Sequence, residues 1–234
     1  MKTNQPDNET IDQLLGLGYV GGQSGVAAFS HDKPLLICDV DEVVLHLVDP
    51  FVQVLEERGY VLKDHSFRLT GNVFDAKTGR EATQEEVWAG LTQLFEEQDK
   101  RQAIVDGVVD NLNTLAETVD VVFLTNMPHE FREIRRTHLT RHGLDFPLIT
   151  NTRSKVPAIQ TLFDHCDHPV GFIDDTPKNL EQVRDGVVDV HLFHFMANER
   201  YRELAGSIDG VQFSTGDWQH AREHIGATLT AGES

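Results

Sequence analysis

The sequence predicts an α/β fold: a parallel sheet flanked by helices and interrupted by a mainly helical insert. Three observations predict it. Short apolar runs recur at residues 35–38, 121–124 and 170–173, each the length of a buried strand. Each run ends in polar or acidic residues and is followed by a helical pattern. The spacing is uneven: Asp41 to Thr125 spans 84 residues, but Thr125 to Lys155 spans only 30. A strand–helix–strand crossover takes about 30 residues, so the first interval holds a surplus of about 55 and the second holds none.

The first element is a helix start at Thr10-Ile11-Asp12-Gln13-Leu14-Leu15. It runs into Gly16-Leu17-Gly18-Tyr19-Val20-Gly21, which fits the glycine pattern of a dinucleotide-binding turn, with Asp39 about twenty residues on. Read that way, the chain would be a nicotinamide-dependent oxidoreductase. The context argues against it. The pattern needs a strand before it and a helix after it, whereas Ser24-Gly25 interrupts the required helix and residues 30–34 form a loop.

The run Leu35-Leu36-Ile37-Cys38 then ends in Asp39-Val40-Asp41. Ligands of open α/β sheets gather at the carboxyl ends of strands. Two carboxylates placed there repel each other unless a cation offsets them, and a divalent ion with oxygen ligands does so. One carboxylate can then act as nucleophile while its neighbour moves a proton.

In the insert, residues 50–59 read as a short helix with Phe51, Val54 and Leu55 on one face. Residues 67–81, with turns at Thr70-Gly71-Asn72 and Lys77-Thr78-Gly79, read as short strands. Thr83-Gln84-Glu85-Glu86 is a capping box that opens a helix striped by Val87, Leu91, Leu94 and Phe95. That stripe reads as packing. Arg68, Asn72 and Trp88 are the insert residues with chemistry suited to a substrate contact. Asp106-Gly107 returns the chain to the core, where Val108, Val109, Leu112 and Leu115 line a crossover helix.

The second strand ends in Thr125-Asn126. Pro128 opens the next helix, which Gly143 closes, so Asn126 lies near a helix N-terminus suited to an anion. A short strand at 147–150 leads to Lys155 and to a helix containing Ile159 and Leu162. The strand at 170–173 ends in Asp174-Asp175, and a helix starts near Lys178. Adjacent carboxylates at a strand end call for a metal or a shifted pKa. The last core strand is expected at 187–193, with a frayed tail from about Ala227. Taken singly, each of these signals is ordinary: a turn, a surface lysine, a helix cap.

Together, in this order, they resemble the haloacid dehalogenase (HAD) superfamily, over residues 33–46 and 105–195. The resemblance implies a Rossmann-like core formed by 1–46 and 105–234, with 47–104 as a type 1 cap. It implies that Asp39 is the nucleophile that takes a phosphoryl group and that Asp41 is the general acid/base. Thr125 would donate to a phosphoryl oxygen, with the Asn126 backbone N–H beside it, and Lys155 would offset charge. Mg2+ would be held by Asp39, the Asp41 carbonyl, Asp174 and Asp175. Aligned to the family spacing, Asp175 is the direct ligand, Asp174 stands behind it, and Asn179 replaces the commoner Asp. Asp at position 41 marks the phosphatase branch. Glu42 departs from the Gly common there and brings an extra negative charge, and Val43 replaces the common Thr. The partner implied is a small phosphorylated substrate.

The 234 residues carry a net charge of −18, which opposes nucleic acid and anionic membranes as partners. An anionic substrate must then be drawn in by local cations. No apolar run reaches the ~20 residues of a membrane span. The start Met-Lys-Thr-Asn-Gln-Pro lacks an apolar signal region, and the two cysteines, Cys38 and Cys166, make no disulfide framework, so the expected location is the cytoplasm. Zinc at His165, Cys166 and His168, or at His191 and His194, is the weaker metal reading, because structural zinc sites pair their ligands more tightly. A non-catalytic phosphate-binding or partner protein on the same scaffold is the alternative to an enzyme. Retention of Asp39, Asp41, Thr125, Lys155 and Asp175 together argues against it.

Overall fold

A computed structural model describes residues 5–17, 32–63 and 71–231. Helix α1 (Asn8–Gly16) is followed by β1 (Leu35–Cys38). The insert carries α2 (Val48–Glu57), β2 (Tyr60–Leu62), β3 (Val73–Asp75), α3 (Gln84–Glu96) and α4 (Gln98–Arg101). The core resumes with α5 (Val108–Leu115), β4 (Asp120–Asn126), a 3-10 turn at His129–Phe131, α6 (Arg132–Arg141), β5 (Leu148–Asn151) and α7 (Val156–Phe163). It closes with β6 (Val170–Asp174), α8 (Pro177–Gly186), β7 (His191–Phe195), α9 (Glu199–Ala205), β8 (Val211–Thr215) and α10 (Trp218–Leu229).

Six strands form one sheet in the order β5-β4-β1-β6-β7-β8, and every pairing is parallel. This is the predicted Rossmann-like α/β fold. Strand β1 sits between β4 and β6, so the chain leaves it in both directions across the sheet. That switch point opens a crevice beyond the carboxyl end of β1, where Asp39 lies. Strands β1 and β4–β7 are buried on both faces, β8 at the edge is half covered, and alternate residues divide between two cores. Leu36, Cys38, Phe123 and Phe193 pack with α5 and α10 residues such as Leu112 and Ile225. Leu35, Ile37, Val122 and Phe172 pack with Leu14, Ile159 and Leu180 from α1, α7 and α8.

The insert has its own apolar cluster of Phe51, Val54, Leu55, Val73, Ala82, Val87 and Leu94. Its strands β2 and β3 pair in an antiparallel two-stranded sheet apart from the six-stranded one, and Phe74 of β3 also bridges Glu81. The chain enters and leaves it side by side: His46 N–H donates to Ala103 O at 2.9 Å, and Val105 N–H to Val44 O at 2.9 Å. The Thr83 capping box forms, with both reciprocal bonds to Glu86 in place.

Several expectations need correction. Strand β7 begins at His191, four residues later than predicted, because Val187 ends α8 instead of opening a strand. Helix α10 runs through Leu229, whose side chain is fully buried, so the chain is still helical past Ala227. The first insert strand lies at Tyr60–Leu62, before the predicted segment. Residues 67–70 of that segment, Arg68 among them, lie outside the described residues, as do Gly18–Gly21 and the last three residues of the tail. Helix α1 stands before the glycine pattern, where a dinucleotide fold would need a strand.

Candidate active site

The carboxyl ends of β1, β4 and β6 bring the strand-end residues together. Lys155, at the N-terminus of α7, is almost wholly buried. Its ammonium lies 2.7 Å from Asp39 Oδ1 and 2.7 Å from Asp174 Oδ2. Lys155 is therefore no surface charge, because it neutralises two strand-end carboxylates at once. Asp174 is saturated with donors: besides Lys155, it accepts from the Thr176 N–H at 2.8 Å and from Asn179 Nδ2 at 3.0 and 3.2 Å. Asn179 thus serves Asp174 as a donor. Asp175, by contrast, stays partly exposed, and its Oδ1 accepts from the Thr176 hydroxyl at 3.0 Å.

One oxygen from each of Asp39, Asp174 and Asp175 lies within 4.8 Å of the others. Burial, opposed by Lys155 and reinforced by Asp174 and Asp41, raises the Asp39 carboxyl to about 7. Burial, then the charges of Asp174 and Asp39, push Asp175 well above the ordinary carboxylate range. Burial works against the Lys155 charge, but Asp174 and Asp39 outweigh it and hold the ammonium up. One ammonium for three carboxylates leaves the cluster short of positive charge. An all-oxygen donor set with that deficit fits a hard divalent cation such as Mg2+. Among the described residues this is the one group of three His, Cys, Asp or Glu side chains close enough to share an ion. The histidines considered for zinc have other partners. His165 Nδ1 bonds the Thr161 carbonyl, and His194 bonds Ser214 and Asp175.

On β4, Thr125 is fully buried, and its hydroxyl has no hydrogen-bond partner among the described residues. Buried polar atoms are rarely left so. Asn126 is exposed at the rim, where its Oδ1 accepts from Asn151 Nδ2 at 2.7 Å. Asn151 also donates to Arg153 O at 2.6 Å and so ties the end of β4 to the loop leading to Lys155.

Asp41 faces a different set of partners. Its Oδ1 accepts from Gln102 Nε2 at 2.8 Å and from Arg135 Nη1 at 3.0 Å. Arg135 is wholly buried in α6 and also bonds Gln98 and Gln102. Gln102 Nε2 reaches the His46 carbonyl at 3.0 Å as well, so one amide joins Asp41 to both ends of the insert. Glu42 turns away from this network. Its Oε1 accepts from the N–H groups of Leu47 and Val48 at 2.7 Å each, and its Oε2 accepts from the Asn198 N–H at 3.0 Å. The extra carboxylate therefore caps α2. Cys38 is buried, and burial raises its thiol pKa further, which leaves it inert.

Sequence reasoning does not single out Arg135, Gln102 or Asn151, and it raises His194 only as a zinc ligand. Arg135 left one trace: it falls four residues after Phe131 and four before Leu139, a charge in a buried helical stripe. Asn72, by contrast, is buried within the insert, and Trp88 borders a shallow hollow with Arg58, Glu85 and Ala89.

No protein-family model matches the sequence, and no curated protein matches it. Solved structures do match its fold. A haloacid dehalogenase-like protein of unknown function from Agrobacterium tumefaciens superposes with a TM-score of 0.61 at 16% identity, over 83% of this chain and 98% of that one. A protein described as a predicted phosphoglycolate phosphatase from Haemophilus somnus gives 0.57 at 14% identity, over 86% and 100%. A HAD family hydrolase from Deinococcus radiodurans, solved with bound phosphate and sodium, gives 0.53 at 14% identity, over 84% and 95%. The fold is that of the haloacid dehalogenase-like hydrolases.

Proposed function

We propose that this chain is a magnesium-dependent phosphatase that hydrolyses a small phosphorylated metabolite through an aspartyl-phosphate on Asp39. The observation that carries this reading is the orphaned Thr125 hydroxyl, buried at the end of the strand beside β1. It is a donor waiting for an acceptor, next to a nucleophile held by a lysine.

Asp39 attacks phosphorus, and the bond from phosphorus to the leaving oxygen breaks as Asp41 gives that oxygen a proton. Water then attacks the phosphorus of the aspartyl-phosphate and passes a proton to Asp41, and the bond to Asp39 breaks to free inorganic phosphate. Splitting one displacement into two is what a covalent nucleophile supplies. Thr125 donates to a phosphoryl oxygen, and Lys155 offsets charge on Asp39 and the phosphoryl group. Asp39, Asp175 and the Asp41 carbonyl would hold Mg2+, with Asp174 kept behind them by Lys155 and Asn179. The ion, when bound, offsets the negative charge of the carboxylates and the phosphoryl group.

The insert 47–104 acts as a cap on the core of 1–46 and 105–234, hinged where the two chain crossings meet. The two cysteines, neither in a disulfide, and the acidic composition support a cytoplasmic setting. No helix among the described residues is long and apolar enough to cross a membrane.

The test is phosphate release from an aryl phosphate and from a panel of phosphorylated metabolites. Release should require Mg2+, stop with a chelator and return on adding the ion. Full activity in metal-stripped protein would overturn the metal role. Phosphate binding without turnover of any ester would leave the chain a binding protein.

A further inference from the structure

We propose that His194, oriented by Ser214, is a positioning residue that sets magnesium affinity by pinning Asp175. The inference rests on the function proposed above and extends it to two residues beyond the strand-end motifs.

His194 lies on β7 in register with Asp174 and is fully buried. Its Nε2 is 3.0 Å from the Asp175 backbone oxygen, and its Nδ1 is 2.6 Å from the Ser214 hydroxyl on β8. A carbonyl only accepts, so Nε2 carries the proton and donates. In the neutral ring Nδ1 is then an acceptor, and the Ser214 hydroxyl donates to it. The Asp175 carbonyl therefore selects the tautomer, and the Ser214 hydroxyl, donating to Nδ1, holds the ring in the orientation that keeps that bond.

That bond matters because of what Asp175 otherwise lacks. Asp174 is fixed from three sides by Lys155, Asn179 and the Thr176 N–H. Asp175 comes directly after the last residue of β6 and is partly exposed, and its carboxylate is held by the Thr176 hydroxyl. Its main-chain carbonyl is anchored to the neighbouring strand by His194. Fixing that peptide fixes the direction in which the carboxylate leaves the backbone, toward Asp39 and Asp174. Partners that orient a metal ligand without touching the metal typically change affinity ~10- to 100-fold when removed.

The test is calorimetric titration of Mg2+ into metal-free full-length protein, with thermal unfolding of the same samples. His194→Leu keeps an apolar side chain in the space but loses the donor, and it should weaken Mg2+ binding about tenfold. His194→Gln can place an amide N–H where Nε2 stood and should return affinity to within about threefold of wild type, a rescue that loss of packing would not produce. His194→Asn is too short to reach and should behave like the leucine variant. Ser214→Ala removes the donor that holds the ring at Nδ1 and should give a smaller loss. Wild-type affinity in a folded His194→Leu or His194→Asn protein would overturn the proposal. Asp175→Ala separates this from the underlying reading. If it too binds Mg2+ normally, Asp175 is not the ligand; if it loses binding while the His194 variants keep it, only the positioning role fails. Should His194→Leu not fold, the comparison of His194→Gln with His194→Asn decides.

Discussion

Burial at Asp39, opposed by Lys155 and reinforced by Asp174 and Asp41, holds this carboxyl at about 7 against an ordinary 3.8. The raised value favours the protonated form in the folded protein. Its contribution to stability is therefore complete below the ordinary pKa and is lost as pH rises through about 7. Chelated protein should unfold at lower temperature at pH ~8 than at pH ~6, and Mg2+, which competes with that proton, should stabilise more at the higher pH. Asp39→Asn should reduce this dependence, leaving the part contributed by Asp175, and abolish phosphate release. The fold should survive, because Lys155 keeps its 2.7 Å pair with Asp174. Equal protection by Mg2+ at both pH values would contradict the account. Asp41 differs, because its charge faces Arg135, which is wholly buried. Asp41→Asn should therefore slow turnover most with poor leaving groups and also destabilise, toward the ~3–5 kcal/mol typical of a broken buried pair. Adding Arg135→Met should recover part of that loss in a denaturant titration, and no recovery would show that the pair carries no such energy. The residues legible in the sequence were those at strand ends, where chain geometry alone concentrates them. The roles of Arg135, Asn151 and His194 were not legible, because each acts across 19 to 94 residues on a neighbouring element.

Elements reveal a different balance of local and distant causes. The capping box of α3 was readable because both of its bonds are local, whereas the start of α2 was not. Its first N–H groups are satisfied by Glu42, five and six residues earlier and beyond a turn. Glu42 also has φ of 59°, a left-handed backbone that costs a non-glycine residue ~1–2 kcal/mol. Its bonds to Leu47, Val48 and Asn198 offset that strain. Glu42→Ala keeps the strain and loses the bonds, while Glu42→Gly loses the bonds but relieves the strain. Thermal midpoints should fall in the order wild type, Glu42→Gly, Glu42→Ala. An alanine variant as stable as wild type would show that the cap contributes nothing. The late elements escaped prediction for related reasons. Strand β8 is only half covered, with polar Gln212 and Ser214 flanking Phe213. Helix α10 buries only Trp218, Ala221, Ile225 and Leu229, a narrow stripe among polar residues.

Across the whole molecule, the question is how the insert is held. It has its own core, but it also packs on the sheet domain through two apolar clusters. Val48 packs against Met196 and Tyr201, and Phe95 packs against Met127 and Phe131. Gln98 and Gln102, at its exit, complete the hydrogen bonding of buried Arg135. Cutting out all of 47–104 would therefore strip a buried guanidinium of two partners and bare Met127 at the end of β4. Replacing only residues 50–94 with a short linker keeps Val48 and Asp49, Phe95, α4 and Gln102. The two crossings already lie side by side, so a short bridge can close them. We expect this shortened protein to fold, to bind Mg2+ by calorimetry and to release phosphate from a small aryl phosphate. If the insert is a cap, the shortened protein should lose discrimination among phosphorylated metabolites far more than it loses aryl phosphate turnover. A lid that excludes water and shapes the site would leave that signature. If the shortened protein folds and ranks the same substrates as wild type, the insert is not what selects them, and the exposed Asn126, Arg153 and Lys178, close in sequence to Thr125, Lys155 and Asp175, are the residues to vary next.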